Sequence, residues 1–411
     1  MFVTGRPPRC RSPWASSPAS RFAPSPECAV GLSGSALVCA GAGACSSGND
    51  RLNRLPNYRK AGCRVRQSGD QLLPGVSYVM PVLNEVTHVR AAVMSLLHQD
   101  YQGPFEVTLA LGPSLDGTTE LVEEMAAVDA RIRIVPNDVG STPAGLNAAI
   151  RASKYAVVIR VDAHSVLPPN YARIAVETLE RTGADNVGGI MDAQGGTPFE
   201  KAVARAYGTR IGLGGTPHHV GGKQGKAETV YLGCFRTESI LNVGLFDEDV
   251  KRGQDWDLNR RLREAGGTVW FTPELRVVYR PRPSVARLAR QMLSTGLWRG
   301  ELARRYPAAN GIRYFIPPLM VIAVTLALLL GLGGVAQALS GATPWLLLGL
   351  IVPIGYALIV VAATVTVARP DGVRSASRFL VVLPCIHFCW GAGFVLGFLK
   401  LTSNITAHTG R

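Results

Sequence analysis

The sequence predicts an α/β fold built on a mostly parallel sheet, followed by three membrane-spanning helices. Three observations predict it. From Val76 to about residue 163, short apolar runs alternate with segments whose apolar residues recur at helical spacing. That is how a parallel sheet covered on both faces reads. After about residue 314 come three long apolar stretches, each able to cross a hydrocarbon core of about 30 Å. Arginines (Arg280, Arg282, Arg287, Arg290, Arg299, Arg304, Arg305, Arg313) crowd ahead of the first stretch, where a membrane protein carries its cytoplasmic excess of positive charge.

The elements follow in order. "VSYVMPV" reads as a buried strand and "EVTHVRAAVMSLLHQ" as a helix. "FEVTLAL" is a second strand, "TTELVEEMAAV" a helix, and "RIRIVPN" a third strand. "TPAGLNAAIRAS" is a helix and "YAVVIRVDA" a fourth strand. The spans are expected near 315–338, 344–368 and 379–399. The connection "LSGAT" is uncharged and "RPDGVRSASR" carries three arginines. With the preceding domain inside, these loops fall outside and inside respectively, as the charge rule requires. The expectation is therefore an integral protein of the plasma (inner) membrane with a cytoplasmic domain over 76–313. That domain ends in an amphipathic interface segment, and a membrane domain occupies 314–411.

Residues 1–75 are rich in Ser, Gly, Pro, Ala and Arg and are read as a disordered or mis-assigned N-terminal extension. Five of the eight cysteines lie there without paired spacing, which argues against a zinc site or disulfide framework. The formal net charge of +14 over 411 residues suits nucleic acid, an anionic membrane or phosphorylated substrates. No basic stretch is interleaved with aromatics, so no nucleic-acid partner is expected and membrane lipids are.

Parallel sheets bind ligands beyond the carboxyl ends of their strands. Asn84, Glu85, Asp116 and Asp162 all lie at such ends or in the loops that follow. Each has a plainer reading. Asn84 and Glu85 suit a helix cap, and Asp116 a turn. Gly140, with small residues before a helix start, lets backbone N–H groups approach a phosphate or simply makes a turn. In "RVDAH", Asp162 and His164 are two apart on an extended end and face one side, where they can hold a divalent cation. In "GQDWDLNRRLREAG", one carboxylate can take a proton from a hydroxyl. Asp257 fits a helix N-terminal stabiliser, which leaves Asp255 as the candidate base.

Taken together, "MPVLNE", "LDGTTE", "NDVGSTPAGLNAAI", "RVDAH", "GCFRTESILNVGLFDE" and "GQDWDLNRRLREAG" resemble a family 2 glycosyltransferase of GT-A (Rossmann-like) fold. With the C-terminal spans, the likeness is to the membrane-bound glucosyltransferases of succinoglycan-type polysaccharide synthesis. The resemblance implies an inverting transfer from a nucleotide-sugar donor, a UDP-sugar first, to a lipid-linked or cell-envelope glycan acceptor. It places Pro81, Asn84, Glu85, Asp116, Gly140, Asn147, Arg160 and Asp162 at the donor and Asp255 as the base. Asp162 and His164 fall on the metal position. Gln291, Trp298 and Arg299 fall on a segment similar to one that lines the donor site in processive synthases.

The sequence departs from the family pattern at three places. "LGPS" stands where an acidic pair is usual, Gln254 replaces Glu, and His164 replaces the last Asp of Asp-x-Asp. The imidazole implies Mn²⁺ in preference to Mg²⁺. Two other functions stay open at this point: transfer directly onto polyprenyl phosphate, and a membrane scaffold with a degraded catalytic site.

Overall fold

The structure, a computed structural model, describes residues 73–402. The reading of residues 1–75 falls outside the described residues except at its end. There, Leu73 packs against the core and the Pro74 carbonyl accepts a hydrogen bond from Tyr101.

The alternation foreseen in the sequence is present as β1 (Val76–Val82), α1 (Val89–Leu97), β2 (Phe105–Leu111), α2 (Thr118–Val128), β3 (Ile132–Pro136), α3 (Thr142–Ala152) and β4 (Val157–Arg160). There follow α4 (Tyr171–Thr182), β5 (Asn186–Ala193), α5 (Pro198–Tyr207), the short α6 (Arg210–Leu213) and α7 (Pro217–Val220), and β6 (Gly225–Lys226). Then come β7 (Tyr231–Arg236), α8 (Thr237–Asn242), α9 (Gln254–Glu264) and β8 (Val269–Tyr279). The strands form one sheet in the order β3-β2-β1-β4-β7-β5-β8-β6. β3, β2, β1 and β4 run parallel, β7 runs against both β4 and β5, and β8 is parallel to β5.

The central strands are apolar on both sides because both are covered. In β1, Val76, Tyr78, Met80 and Val82 enter one core and Val79 the opposite one. In β4, Val157 and Ile159 face the first core and Val158 the second. Complete burial of a side chain of this size is worth roughly 1.5–3 kcal/mol. From β1 the chain winds outward to β3 and returns on the other side of β1 at β4. The strand order thus reverses between β1 and β4, which opens a crevice above their carboxyl ends.

Beyond β8, α10 (Val285–Arg305) leads to α11 (Ile316–Leu339), α12 (Ile351–Ala363) and α13 (Val373–Phe398). Three helical segments, Ile312–Leu339, Trp345–Asp371 and Val373–Phe398, are long and apolar enough to cross a membrane. The third starts earlier than the apolar pattern suggests, because the turn carrying Arg374 and Arg378 is helical too.

α10 lies directly against α13 through glycines on both helices. A Cβ on Gly296 would sit 2.0 Å from the Trp390 carbonyl, and one on Gly300 2.1 Å from that of Phe394. On α13, a Cβ on Gly393 or Gly397 would come 2.2 and 2.0 Å from the Leu293 and Leu297 carbonyls. Paired small-xxx-small faces of this kind let two backbones touch. Gly300→Val is expected to force the helices apart and lower stability by about 1–3 kcal/mol. The thermal unfolding midpoint in detergent checks this; an unchanged midpoint would mean that the two helices are not in backbone contact.

Candidate functional site

The loops after β1 and β2 are stapled together at the mouth of the crevice. Asn84, in the left-handed region at φ 53°, donates its N–H to Ser114 Oγ (3.0 Å), and its Oδ1 accepts the Leu115 N–H (2.8 Å). Asp116 Oδ2 accepts the Val86 N–H at 3.2 Å. Its Oδ1 accepts the Thr118 hydroxyl at 2.5 Å and the Thr118 N–H at 3.1 Å. These bonds, the Thr118 hydroxyl foremost, hold the Asp116 carboxyl below the ordinary carboxylate range. Asn84 and Asp116 therefore shape the rim. Pro81 lies beneath it in β1, at the place where α3 comes close enough that a Cβ on Gly145 would meet it at 3.1 Å.

Two residues expected at the donor, Gly140 and Asn147, have partners within the protein. Gly140 adopts φ 65° and donates its N–H to the Asn137 carbonyl at 2.8 Å. Asn147 is buried and fastens the loop before α9. Its Nδ2 donates to the Phe246 carbonyl (2.9 Å) and Glu248 Oε1 (2.8 Å), and its Oδ1 accepts the Phe246 N–H (2.9 Å). Both amide protons are thereby used within the protein, which makes Asn147 a latch between α3 and that loop.

Arg160 organises the centre. It closes β4, is only 6% exposed, and stacks 5.9 Å from the Phe246 ring centre. One arm of its guanidinium holds Asp162 Oδ1 at 3.0 Å and the other holds Asp255 Oδ1. A planar fork with fixed donors can bridge two carboxylates in this way. Asp255 gets there because Gly253, at φ 79°, turns the chain into the first turn of α9. Asp257, two residues on, is buried and paired with Arg260 (2.8 Å) and Arg261 (2.9 Å), so it holds its own helix and Asp255 meets the crevice.

His164 Nδ1 lies 3.1 Å from Glu85 Oε1, joining the loops after β4 and β1 across the crevice. A carboxylate only accepts, so Nδ1 donates in this contact, and when the ring is neutral its lone pair is on Nε2. That tautomer is the one a metal-binding imidazole adopts when a carboxylate orients it. Among the described residues, no three His, Cys, Asp or Glu side chains are grouped to hold an ion. Asp162 and His164 thus fit a divalent cation in the kind of donor they offer, provided that a substrate supplies the remaining ligands.

Gln291, Trp298 and Arg299, expected at the donor, line a separate cavity of about 390 Å³ between α10, the start of α9 and the membrane helices α11 and α13. Arg299 is sandwiched there, 4.0 Å from the Trp256 ring and 3.8 Å from that of Tyr314, and it bonds Asn310. Burial pushes its guanidinium down to about 10. His218 and His219 share the wall; burial pushes His218 down to about 4 and holds His219 well below the ordinary histidine value. Sequence reading did not single out Tyr314, Trp256 or this histidine pair. The adjacent "HH" was the one available signal, and adjacency alone does not say that both rings are buried.

Comparison with known proteins bears on this geometry. A model of the family described as "Glycosyltransferase like family 2" matches residues 74–295. The Succinoglycan biosynthesis protein ExoA of Rhizobium meliloti (strain 1021) is 31% identical over 341 residues, covering 80% of this chain and 96% of that protein. The dolichyl N-acetyl-alpha-D-glucosaminyl phosphate 3-beta-D-2,3-diacetamido-2,3-dideoxy-beta-D-glucuronosyltransferase of Methanococcus voltae is 24% identical over 240 residues, 56% of this chain and 74% of that protein. Among solved structures, the mannosyltransferase PcManGT from Pyrobaculum calidifontis, in complex with GDP-Man and Mn²⁺, aligns with a TM-score of 0.53. It is 18% identical and covers 80% of this chain and 88% of that one, a likeness of fold.

Proposed function

This chain belongs to the glycosyltransferase-like family 2, and on that premise we propose that it moves one sugar from a nucleotide-sugar donor to a lipid-linked or cell-envelope glycan acceptor, with inversion. A UDP-sugar is the first donor to test. The observation that carries the reading is the Arg160 bridge. It brings Asp162, at the strand end, to Asp255, on a helix 95 residues further along than Arg160 itself. A scaffold with a degraded site has no need of such a bridge.

The residues act as follows. The donor lies in the crevice over β1 and β4, against the rim of Asn84, Glu85 and Asp116. Arg160 occupies Asp255 Oδ1, so Oδ2 is the oxygen that takes the proton of the acceptor hydroxyl. Negative charge develops on the departing diphosphate as its bond to the sugar breaks. Asp162 and His164 would hold a divalent cation there, which neutralises the same charge. The mannosyltransferase of similar fold binds Mn²⁺ with its nucleotide sugar. The arginines ahead of α11 support a cytoplasmic face of the plasma (inner) membrane.

The test is to offer purified full-length protein labelled UDP- and GDP-sugars with a membrane lipid extract. Label entering the lipid or glycan fraction supports the proposal, and failure to consume any nucleotide sugar contradicts it.

His164→Asp tests the metal assignment. A neutral imidazole suits Mn²⁺ better than Mg²⁺ and must be unprotonated to bind. The variant is expected to narrow the difference in rate between the two cations and to flatten the loss of activity on mild acidification. Rates with each cation across the acidic range check this. An unchanged cation preference would place His164 off the metal.

A further inference from the structure

The cavity beside α10 has the wall of an anion site. Three arginines (Arg252, Arg299, Arg313) line it, with no Asp or Glu, beside the His218 and His219 rings that burial keeps uncharged. The rest is largely apolar and includes Met292, Pro317, Ile386 and Trp390. A cavity that is basic at one part and apolar at another matches a ligand that is anionic at one end and hydrocarbon at the other.

Arg299 is the sharpest feature. It is only 8% exposed, and the partner its guanidinium finds is the neutral amide of Asn310. Its Nε is buried without a hydrogen-bond partner. The neighbouring carboxylates are already taken, Glu301 by Arg304 and Arg305, and Glu228 by Arg313. A buried cation without a counter-ion is costly, and an anion that enters beside it removes that cost. The stack between Trp256 and Tyr314 holds its plane fixed, and fixed planar guanidinium groups recognise phosphate.

Position decides which phosphate. Pro81, Asn84, Glu85, Asp116, Gly140, Asp162 and His164, all at strand ends or in the loops beyond them, contribute nothing to the wall. Gly253 and Trp256, which flank Asp255, do contribute, and so do α11 and α13 through Pro317, Ile386 and Trp390. The cavity therefore runs from beside the candidate base toward the membrane helices, away from the crevice over β1 and β4.

We propose that this cavity seats the phosphate headgroup of the lipid-linked acceptor, with Arg299 as its counter-ion and the first carbons of the lipid chain against α11 and α13. The proposal rests on the transferase reading above for the identity of the lipid. In this arrangement the headgroup anchors the acceptor, and the sugar it carries extends past Trp256 to Asp255.

The test uses full-length protein in detergent and farnesyl diphosphate as probe, read by tryptophan fluorescence, since Trp256 and Trp298 are in the wall. Binding is expected to saturate, to be roughly tenfold or more weaker for farnesol and for inorganic pyrophosphate, and to persist in excess UDP. Arg299→Gln is expected to weaken farnesyl diphosphate binding by roughly tenfold or more, the order of a lost charge-assisted hydrogen bond. UDP binding by the same variant, measured by equilibrium dialysis, is expected to be retained. Competition by UDP, with equal loss of both ligands in Arg299→Gln, would assign the cavity to the donor's diphosphate and overturn the proposal. Pyrophosphate binding as tightly as farnesyl diphosphate would reduce it to a free-phosphate site and overturn it too. Should Arg299→Gln fail to fold, Tyr314→Leu removes one stacking face and is expected to weaken the probe several-fold; unchanged binding there also overturns the proposal. Wild-type protein that binds the probe as described but transfers no sugar would count against the transferase reading and leave the site standing.

Discussion

Asp255→Asn is expected to lower sugar transfer roughly a hundredfold or more while nucleotide-sugar binding is kept. The substitution preserves size and the contact surface but removes the oxygen that can accept a proton. In a single displacement the acceptor hydroxyl attacks opposite the leaving diphosphate and must lose its proton as it does so. Asp255 is the carboxylate placed for this, because Arg160 draws it to the end of β4 beside Asp162. Asp257 is buried in ion pairs with Arg260 and Arg261, and Asp257→Asn is expected to affect stability more than turnover. The same variants separate two acceptors. The oxygen of a polyprenyl phosphate carries no proton that must be removed at neutral pH, so transfer onto it needs no base. Near-normal rates for Asp255→Asn with a polyprenyl phosphate acceptor would therefore move the function to that alternative. Rates and donor binding measured together on both variants decide between these outcomes, and loss of transfer in Asp257→Asn alone would reverse the assignment of the base.

Arg160→Leu is expected to lower transfer by a similar factor and also to destabilise the protein. Without the guanidinium, Asp162 and Asp255 lose their shared cation and repel across the crevice. Breaking a buried pair costs about 3–5 kcal/mol. The Asp255 side chain is 39% exposed, so solvent screens part of this, and about 1–3 kcal/mol is expected. Arg160→Lys keeps the charge but cannot reach two carboxylates with one planar fork. Its transfer rate should fall between those of wild type and Arg160→Leu. The unfolding midpoint and transfer rate of both variants check this. Normal transfer in Arg160→Leu would show that the bridge is incidental to the chemistry.

The first half of the sheet was legible because physics left few alternatives. β1 and β4 are apolar on both faces, β2 and β3 are short apolar-rich runs, and the connecting helices carry clean helical spacing. The second half was not. β5 contains Gly188 and Gly189, where its pairing with β8 shifts register, and a Cβ on Gly189 would lie 1.8 Å from the Leu275 carbonyl. Glycines that serve close packing erase the periodicity by which a strand is recognised. Likewise β7, the short antiparallel strand between β4 and β5, carries no mark of its direction.

The candidate site divides in the same way. Asp162, His164 and Asp255 stand out because their residue types and local spacing suggest chemistry. The Arg160 bridge from Asp162 to Asp255 does not, since Arg160 meets Asp255 only after the sheet and α9 have formed. The resemblance places Asn147 at the donor, whereas its partners, Phe246 and Glu248, lie about a hundred residues away in sequence. Arg299 was placed at the donor by its segment, whereas its surroundings depend on α10 meeting α13 through glycines. The Gly296-x-x-x-Gly300 spacing in "GLWRG" marks a face for close helix packing, but not which helix packs there.

The anomeric configuration of the transferred sugar tests the central claim most directly. A product made from an α-linked nucleotide sugar by the purified full-length protein can be assigned from its anomeric proton coupling. A single displacement with Asp255 as base predicts a β-linked sugar and no covalent sugar–protein intermediate. An α-linked product would contradict the account, because retention of configuration needs a different set of catalytic steps from the one that Asp255 and Arg160 are arranged to perform.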